Sequence, residues 1–348
     1  MNRAAVLTEY DAPLEIQEIE PRTPTADGIV VDTEACGICR SDWHGWKGHW
    51  EGTPPLGHVL GHEPAGRVVE VGDEVEEFRE GDRVAVPFIN ACGGCPHCWS
   101  NHSHLCDDGL SLGFSPELPG AFATEFALPN ADFNAMHLPD GAEPVEVAAL
   151  GCRFATAFHG LSHRADVEPG SWVAVHGCGG IGLSAVHVAD AIGARVVAVD
   201  LNEDALAMAE ELGADATVSA DEVDVVEEVH AITDGGASVS VDALGIEETC
   251  TNSIACLGLV GQHVQIGMTT GDGTLPVDID DIVNRELEIY GVKGMPPSRY
   301  GEILELTAAG DLDPGKLVSQ TVPIERVSER IAAMDDFGTV GIEVVDEF

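Results

Sequence analysis

Two textures of hydrophobic patterning divide the chain. Over roughly the first 150 residues, short alternating segments such as 28–34, 63–71 and 83–88 lie between Gly- and Pro-containing turns, which predicts irregular β structure. From about Gly170 the texture changes to compact apolar runs at 172–176, 195–199, 239–243, 262–266 and 287–292, separated by stretches of helical period. Strands alternating with helices predict an α/β domain with a doubly wound parallel sheet. One crossover shows how such a helix is specified: Asn202 offers an N-cap, Leu206, Ala209 and Leu212 recur at helical spacing, and Gly213 stops the run. After Pro297 there remain a helical segment over 300–309 and a strand near 341–345. This tail is too short for a domain and is expected to rejoin the first one. The chain has no internal repeat or low-complexity linker.

At 348 residues the chain exceeds one typical core, and a 44% hydrophobic content can fill two, so two domains sharing a cleft are expected. Charge narrows the partners: 16 Lys and Arg against 61 Asp and Glu leave a formal net charge of -45. Such a surface disfavours nucleic acid and anionic membrane. Acidic runs at 73–82 and 221–228 read as solvated faces. Self-repulsion on this scale suits a salty cytosol, where the screening length falls to roughly 3 Å at molar salt; an ordinary acidic protein is the competing explanation. No apolar run is long enough to span a bilayer, and the first twenty residues lack a basic stretch followed by an apolar one, so a cytoplasmic protein is expected. Of ten cysteines, four are clustered, which favours metal ligands over disulfides in a reducing compartment.

Gly177-Cys178-Gly179-Gly180-Ile181-Gly182 matches Gly-x-Gly-x-x-Gly between a predicted strand and a predicted helix. In that context the glycines allow a tight turn and close approach of backbone to a pyrophosphate at the helix N-terminus. Asp200 ends the next strand, where a carboxylate accepts hydrogen bonds from a ribose 2′-hydroxyl and repels a 2′-phosphate. NAD is therefore expected over NADP, which stays open as the alternative. Cys92, Cys95, Cys98 and Cys106 are spaced Cys-x2-Cys-x2-Cys-x7-Cys, enough thiolates to close a tetrahedral shell around structural Zn²⁺. An iron–sulfur cluster is the rival reading, since the first three spacings also occur in ferredoxins. His97, His102 and His104 share the loop and could stand in for a thiolate. Cys39, His62 and Cys152 are dispersed. Two thiolates and an imidazole would leave one zinc position open, but spacing alone does not join them.

The Cys39 segment, the run Gly61-His62-Glu63-Pro64-Ala65-Gly66-Arg67-Val68, the four-cysteine loop and the glycine loop, in this order over nearly the whole chain, resemble the zinc-containing medium-chain alcohol dehydrogenases. The resemblance implies a GroES-like catalytic domain from residues 1–150 and 297–348, with a Rossmann dinucleotide-binding domain, 151–296, inserted between. It implies two zinc ions per subunit, the catalytic one on Cys39, His62 and Cys152, with Glu63 beside it as an alternate ligand and Asp42 orienting His62. It implies a proton relay from Ser41 through the cofactor ribose to His44, which exchanges with solvent. For the cofactor it implies Arg40 at the pyrophosphate and Thr156 at the nicotinamide, with Leu244, Ile266 and Met268 as further contacts that strand-end packing explains equally well. Trp50 and Phe88 fall where the family places walls of the alcohol pocket, which favours small or unbranched alcohols and aldehydes.

Zinc acidifies a bound hydroxyl and the nicotinamide accepts the hydride, so the implied reaction is reversible hydride transfer between a primary or secondary alcohol and NAD(P). A homodimer or homotetramer is implied by family analogy alone. One departure concerns the C-terminal segment Val340-Gly341-Ile342-Glu343, where relatives often carry a basic residue against the pyrophosphate. Two other readings stay in play: a sugar or polyol dehydrogenase, disfavoured by Cys152 where such relatives often have an acid, and a non-catalytic nucleotide-binding relative, disfavoured by retention of Ser41, His44 and the open-site ligands. Arg153 has no role in the sequence reading.

Overall fold

The computed structural model describes residues 2–269, 273–336 and 338–348. The chain forms two compact units, Met1–Cys152 with Gly294–Phe348, and Arg153–Lys293.

In the Arg153–Lys293 unit six parallel strands run β1 (Trp172–His176), β2 (Arg195–Asp200), β3 (Ala216–Ser219), β4 (Ala237–Asp242), β5 (Leu257–Gln265) and β6 (Glu288–Gly291) along the chain. Their order across the sheet is β3-β2-β1-β4-β5-β6. Parallel strands are covered on both faces, so the inner ones need apolar residues at consecutive positions rather than alternate ones. Val173, Ala174 and Val175 on β1 and Val196, Val197, Ala198 and Val199 on β2 meet that demand and are all buried. Strand order reverses between β1 and β4, which opens a crevice at the carboxyl ends of these strands. The glycine loop leaves β1 at that point and leads into the helix Gly180–Ile192. The Glu203–Glu211 helix is capped as its sequence predicts: the Asn202 side chain accepts from the backbone N–H groups of Asp204 and Ala205.

The other unit is built mainly on antiparallel strands, with Val318–Pro323 pairing in parallel with Ile342–Glu347. Its largest sheet centres on Ile29–Ile38, which pairs with Glu63–Val71, Glu125–Leu128 and, from the far end of the chain, Ile342–Glu347. The last strand joins at Glu343↔Ile38 and Val345↔Cys36, so the C-terminal tail completes the sheet that the N-terminal half begins. A core including Leu7, Ile29, Ile38, Leu60, Phe122, Phe126 and Val345 lies beneath these strands. The short helix Arg40–Lys47 follows the central strand directly, and Gly48 ends it in the left-handed region. No described helix is long and apolar enough to cross a membrane.

Candidate active site

Cys39 is the N-cap of the Arg40–Lys47 helix, and Asp42 at its third position reaches back so that Oδ2 accepts the Cys39 backbone N–H at 2.9 Å. The other oxygen of Asp42 accepts the Gly61 N–H at 3.0 Å and faces Nδ1 of His62, also at 3.0 Å. Asp42 and His62 are both fully buried. A carboxylate at Nδ1 makes that nitrogen the donor and leaves the lone pair on Nε2. Nε2 of His62 is buried and has no hydrogen-bond partner in the protein. An orphaned imidazole nitrogen aimed at two thiols is what a metal ligand looks like without its metal. The ligand atoms of Cys39, His62, Glu63 and Cys152 all lie within 4.8 Å of one another. Burial lowers the basicity of His62, but Asp42 and Cys39 more than offset it and hold the ring well above its ordinary value.

Two devices hold Cys152 and Glu63 at this spot. A Cβ on Gly151 would come within 2.5 Å of the Glu63 side chain, so only glycine lets the Cys152 segment approach so closely. The buried hydroxyl of Tyr300, from the helix Tyr300–Ala309, donates to the Leu150 carbonyl at 2.8 Å. Burial, with Glu63 and Cys152 nearby, pushes the Tyr300 phenol up, so it stays a donor. Nothing local in the sequence marks Tyr300, a lone aromatic in a helix, as part of the site.

Aromatic rings surround His62. Phe88 meets it edge-on with centroids 5.9 Å apart, and Phe114 is tilted at 5.0 Å. Trp50 meets Phe114 edge-on at 5.5 Å and stacks on His44 at 5.6 Å. Phe114 therefore belongs with the expected pair Trp50 and Phe88, although its Gly113-Phe114 context carries no signal. Ser41 and His44 lie on the Arg40–Lys47 helix, both half-buried. His44 departs from the near-neutral exchanger expected of it: burial, then the neighbouring His49 and Arg40, lower it to about 4. The Arg40 guanidinium lies over the Trp43 ring at 4.0 Å and donates to the Met334 carbonyl at 2.5 Å.

The second cluster is contiguous. Sulfur–sulfur separations are 3.6 Å for Cys95–Cys98, 3.8 Å for Cys95–Cys106 and 4.0 Å for Cys92–Cys98. A tetrahedral zinc with about 2.3 Å bonds needs sulfurs about 3.8 Å apart, and these three separations match it, with all four sulfurs within 4.8 Å of one another. Backbone N–H groups already point at the sulfurs, from Cys92 to Cys106 at 3.3 Å and from Gly94 to Cys92 at 3.4 Å. Such donors, from Asp107 and Cys98, lower the Cys95 thiol to about 6, while burial raises Cys98 to about 12.

In the Arg153–Lys293 unit, a Cβ on Gly182 would lie 1.8 Å from the Gly177 carbonyl oxygen, so the turn closes only with glycine there. At Gly179, the N-cap of Gly180–Ile192, the Cβ position meets nothing within 4 Å. An open cradle beside a helix N-terminus fits a pyrophosphate. Asp200 lies against the same loop: its carboxylate accepts from Cys178 N at 2.5 Å and Asn202 N at 2.8 Å. Arg153 finds a position here, with its Cδ 2.6 Å from where a Gly180 Cβ would stand. Thr156 is buried on the helix Cys152–His159. Of the three further expected contacts, Ile266 is buried, Leu244 is partly open and Met268 is 69% exposed. Fully buried Asp242, absent from the sequence reading, shapes this edge by accepting the N–H groups of Leu244 at 2.9 Å and Gly245 at 3.1 Å.

Residues 25–140 match the model of the alcohol dehydrogenase GroES-like domain, and residues 180–309 that of the zinc-binding dehydrogenases. An alcohol dehydrogenase of Moraxella sp. (strain TAE123) is 34% identical over 345 residues, 99% of each chain. The chain belongs to the zinc-dependent medium-chain alcohol dehydrogenases. An alcohol dehydrogenase of Geobacillus stearothermophilus is 32% identical, covering 96% of this chain and 95% of its own. Among solved structures, the alcohol dehydrogenase TADH from Thermus sp. ATN1 superposes with a TM-score of 0.92 at 28% identity, over 99% of this chain and 100% of that one. Membership of this family accounts for the fold, with a GroES-like irregular β domain and a Rossmann doubly wound domain, and places the chain among the oxidoreductases.

Proposed function

We propose that the chain is an alcohol dehydrogenase that transfers hydride reversibly between a small primary or secondary alcohol and NAD, with NADP the weaker cofactor. The observation that carries this reading is the partnerless Nε2 of buried His62 beside the ligand atoms of Cys39, Glu63 and Cys152. Cys39, His62 and Cys152 would hold a catalytic zinc, with Glu63 beside it as an alternate ligand, and Cys92, Cys95, Cys98 and Cys106 a structural one. When bound, zinc supplies Lewis acidity toward a substrate oxygen and the nicotinamide supplies the hydride acceptor. Asp42 fixes the tautomer of His62 and, through Cys39 N–H, the start of the helix that carries Ser41 and His44. Ser41 would accept the proton that the substrate hydroxyl gives up while releasing its own toward the cofactor ribose and His44, which passes a proton outward. Trp50, Phe88 and Phe114 exclude water and limit substrate bulk. Gly177, Gly179, Gly180 and Gly182 receive the pyrophosphate, aided by Arg40. Asp200 selects the unphosphorylated ribose, and Thr156 packs the nicotinamide.

The domain assignment follows: residues 1–150 and 297–348 catalytic, 151–296 dinucleotide-binding. We also assign a homodimer or homotetramer in the cytoplasm of a salt-adapted organism, the latter on the net charge of -45. Equal melting temperatures in dilute buffer and molar salt would remove the salt adaptation. The activity is tested by following reduced nicotinamide over a panel of alcohols, aldehydes and polyols with both cofactors, before and after chelation and zinc reloading. Zinc-dependent turnover of simple alcohols is expected. Faster turnover of polyols, or none with zinc fully loaded, overturns the assignment.

A further inference from the structure

The path expected to end at His44 has one more ring in it. Gly48 closes the Arg40–Lys47 helix at φ 72, and the N–H of His49 donates back to the His44 carbonyl at 3.1 Å. This turn folds the His49 ring against the His44 ring, Nδ1 to Nδ1 at 2.9 Å. Trp43 meets both imidazoles edge-on, with centroids 4.8 Å from His44 and 5.0 Å from His49. Trp50 stacks on His44 at an interplanar angle of 28°. The pair is thus packed on two sides by indoles. His44 is half-buried and His49 is exposed.

We infer that His49 is the outer member of the proton relay: His44 hands its proton to His49 through their shared Nδ1 contact, and His49, not His44, exchanges it with water. This inference rests on the reading of Ser41 and His44 as a relay. A hydrogen bond between two imidazole nitrogens needs one proton between them, so one ring donates from Nδ1 and the other accepts at Nδ1. A proton arriving at Nε2 of His44 lets the Nδ1–H of His44 pass to Nδ1 of His49. His44 is left neutral as its other tautomer, and the positive charge moves to His49, which loses its Nε2 proton to water. No electron pair leaves either ring, and one proton has crossed from the site to solvent. Reduction of an aldehyde or ketone runs the same path inward.

The surroundings support a transfer rather than a resting charge on His44. Burial, His49 and Arg40 all disfavour an imidazolium there and only Cys39 favours it, so that His44 sits at about 4. The other nearby charges are committed elsewhere. Asp335 accepts from Trp43 Nε1 and Lys47, and Lys47 also bonds Asp11. On the packed helix Val327–Ala332, Glu329 bonds Arg326 and Arg330 bonds Glu343. Among the described residues, the His49 ring is the side-chain hydrogen-bond partner of the His44 imidazole.

The test compares the zinc-loaded variants His49→Gln and His44→Gln in alcohol oxidation. Glutamine keeps a hydrogen bond but cannot carry the proton through. For His49→Gln we expect a roughly tenfold fall in kcat at neutral pH, short of the full loss of a general acid–base group because water still reaches His44. The fall should shrink as pH rises and be reversed by added imidazole buffer, which wild type ignores. In the absence of any substrate, His44→Gln should also move the ring-nitrogen NMR shifts of His49. If His49→Gln matches wild type in rate, pH profile and buffer response while His44→Gln is slowed, the path ends at His44 and this inference is wrong. Should neither variant change the rate, the relay reading itself fails along with it.

Discussion

Cys92, Cys95, Cys98 and Cys106 come from one short loop, with all four sulfurs within 4.8 Å of one another and Cys92 exposed. Cys39, His62, Glu63 and Cys152 come from a helix cap, a strand entrance and a helix start distant in sequence, and His62 and Glu63 are buried. The difference is one of what does the organising. In the loop cluster the metal would hold the polypeptide, because the loop has little core of its own. In the buried cluster the polypeptide holds the ligands: Asp42, Gly151 and Tyr300 position them before any ion arrives. A site that is preorganised and leaves one zinc position open suits chemistry, and one closed by four thiolates suits stability.

The largest effect that would sharpen this contrast is on turnover. Cys39→Ala should lower kcat/KM by more than about a thousandfold, since the Lewis acid is lost, while circular dichroism and melting stay close to wild type. A Cys39→Ala protein that turned over normally would break the distinction. Next is stability: Cys98→Ser should cost about 3–5 kcal/mol and lower the melting midpoint by about 10 °C, read by calorimetry, with the remaining folded fraction still active per bound catalytic zinc. Asp42→Asn should weaken zinc binding at the buried site by about 10- to 100-fold in a competition with chelator and leave the loop cluster unaffected. The smallest effect is on pH. Asp42 and Cys39 hold His62 above its ordinary value, so in chelated protein a proton competes with the metal for the ring. Zinc affinity at the buried site should therefore rise with pH, up to about tenfold per unit, until His62 is deprotonated. A flat pH dependence there would contradict the Asp42–His62 arrangement.

The same contrast explains how much was legible beforehand. The loop cluster is local, so spacing alone announced it, and the glycine loop was readable because a strand before it and a helix after it set its context. Strand β1 coincides with its apolar run, because buried parallel strands write continuous hydrophobic stretches. Strand β3 went unread: Ala216–Ser219 is a short edge strand with only Val218 buried, which leaves too little pattern to notice. The buried cluster could not be assembled from spacing, since its parts meet only after the Ile29–Ile38 and Glu63–Val71 strands pair, and a family resemblance had to join them. Phe114, Tyr300, Asp242 and His49 escaped for a related reason. Each acts through a partner that tertiary structure supplies, and a lone aromatic, carboxylate or imidazole in a sequence does not name its partner.

Metal content, counted per chain and located by anomalous diffraction at the zinc edge, tests the account most directly. Two zinc ions are expected in the native protein, one bonded to Nε2 of His62 with Cys39 and Cys152, the other to the four loop sulfurs. Cys39→Ala should lose the first alone and Cys98→Ser the second alone. Zinc at the loop cluster only, with Nε2 of His62 bare in fully active protein, would contradict the central claim.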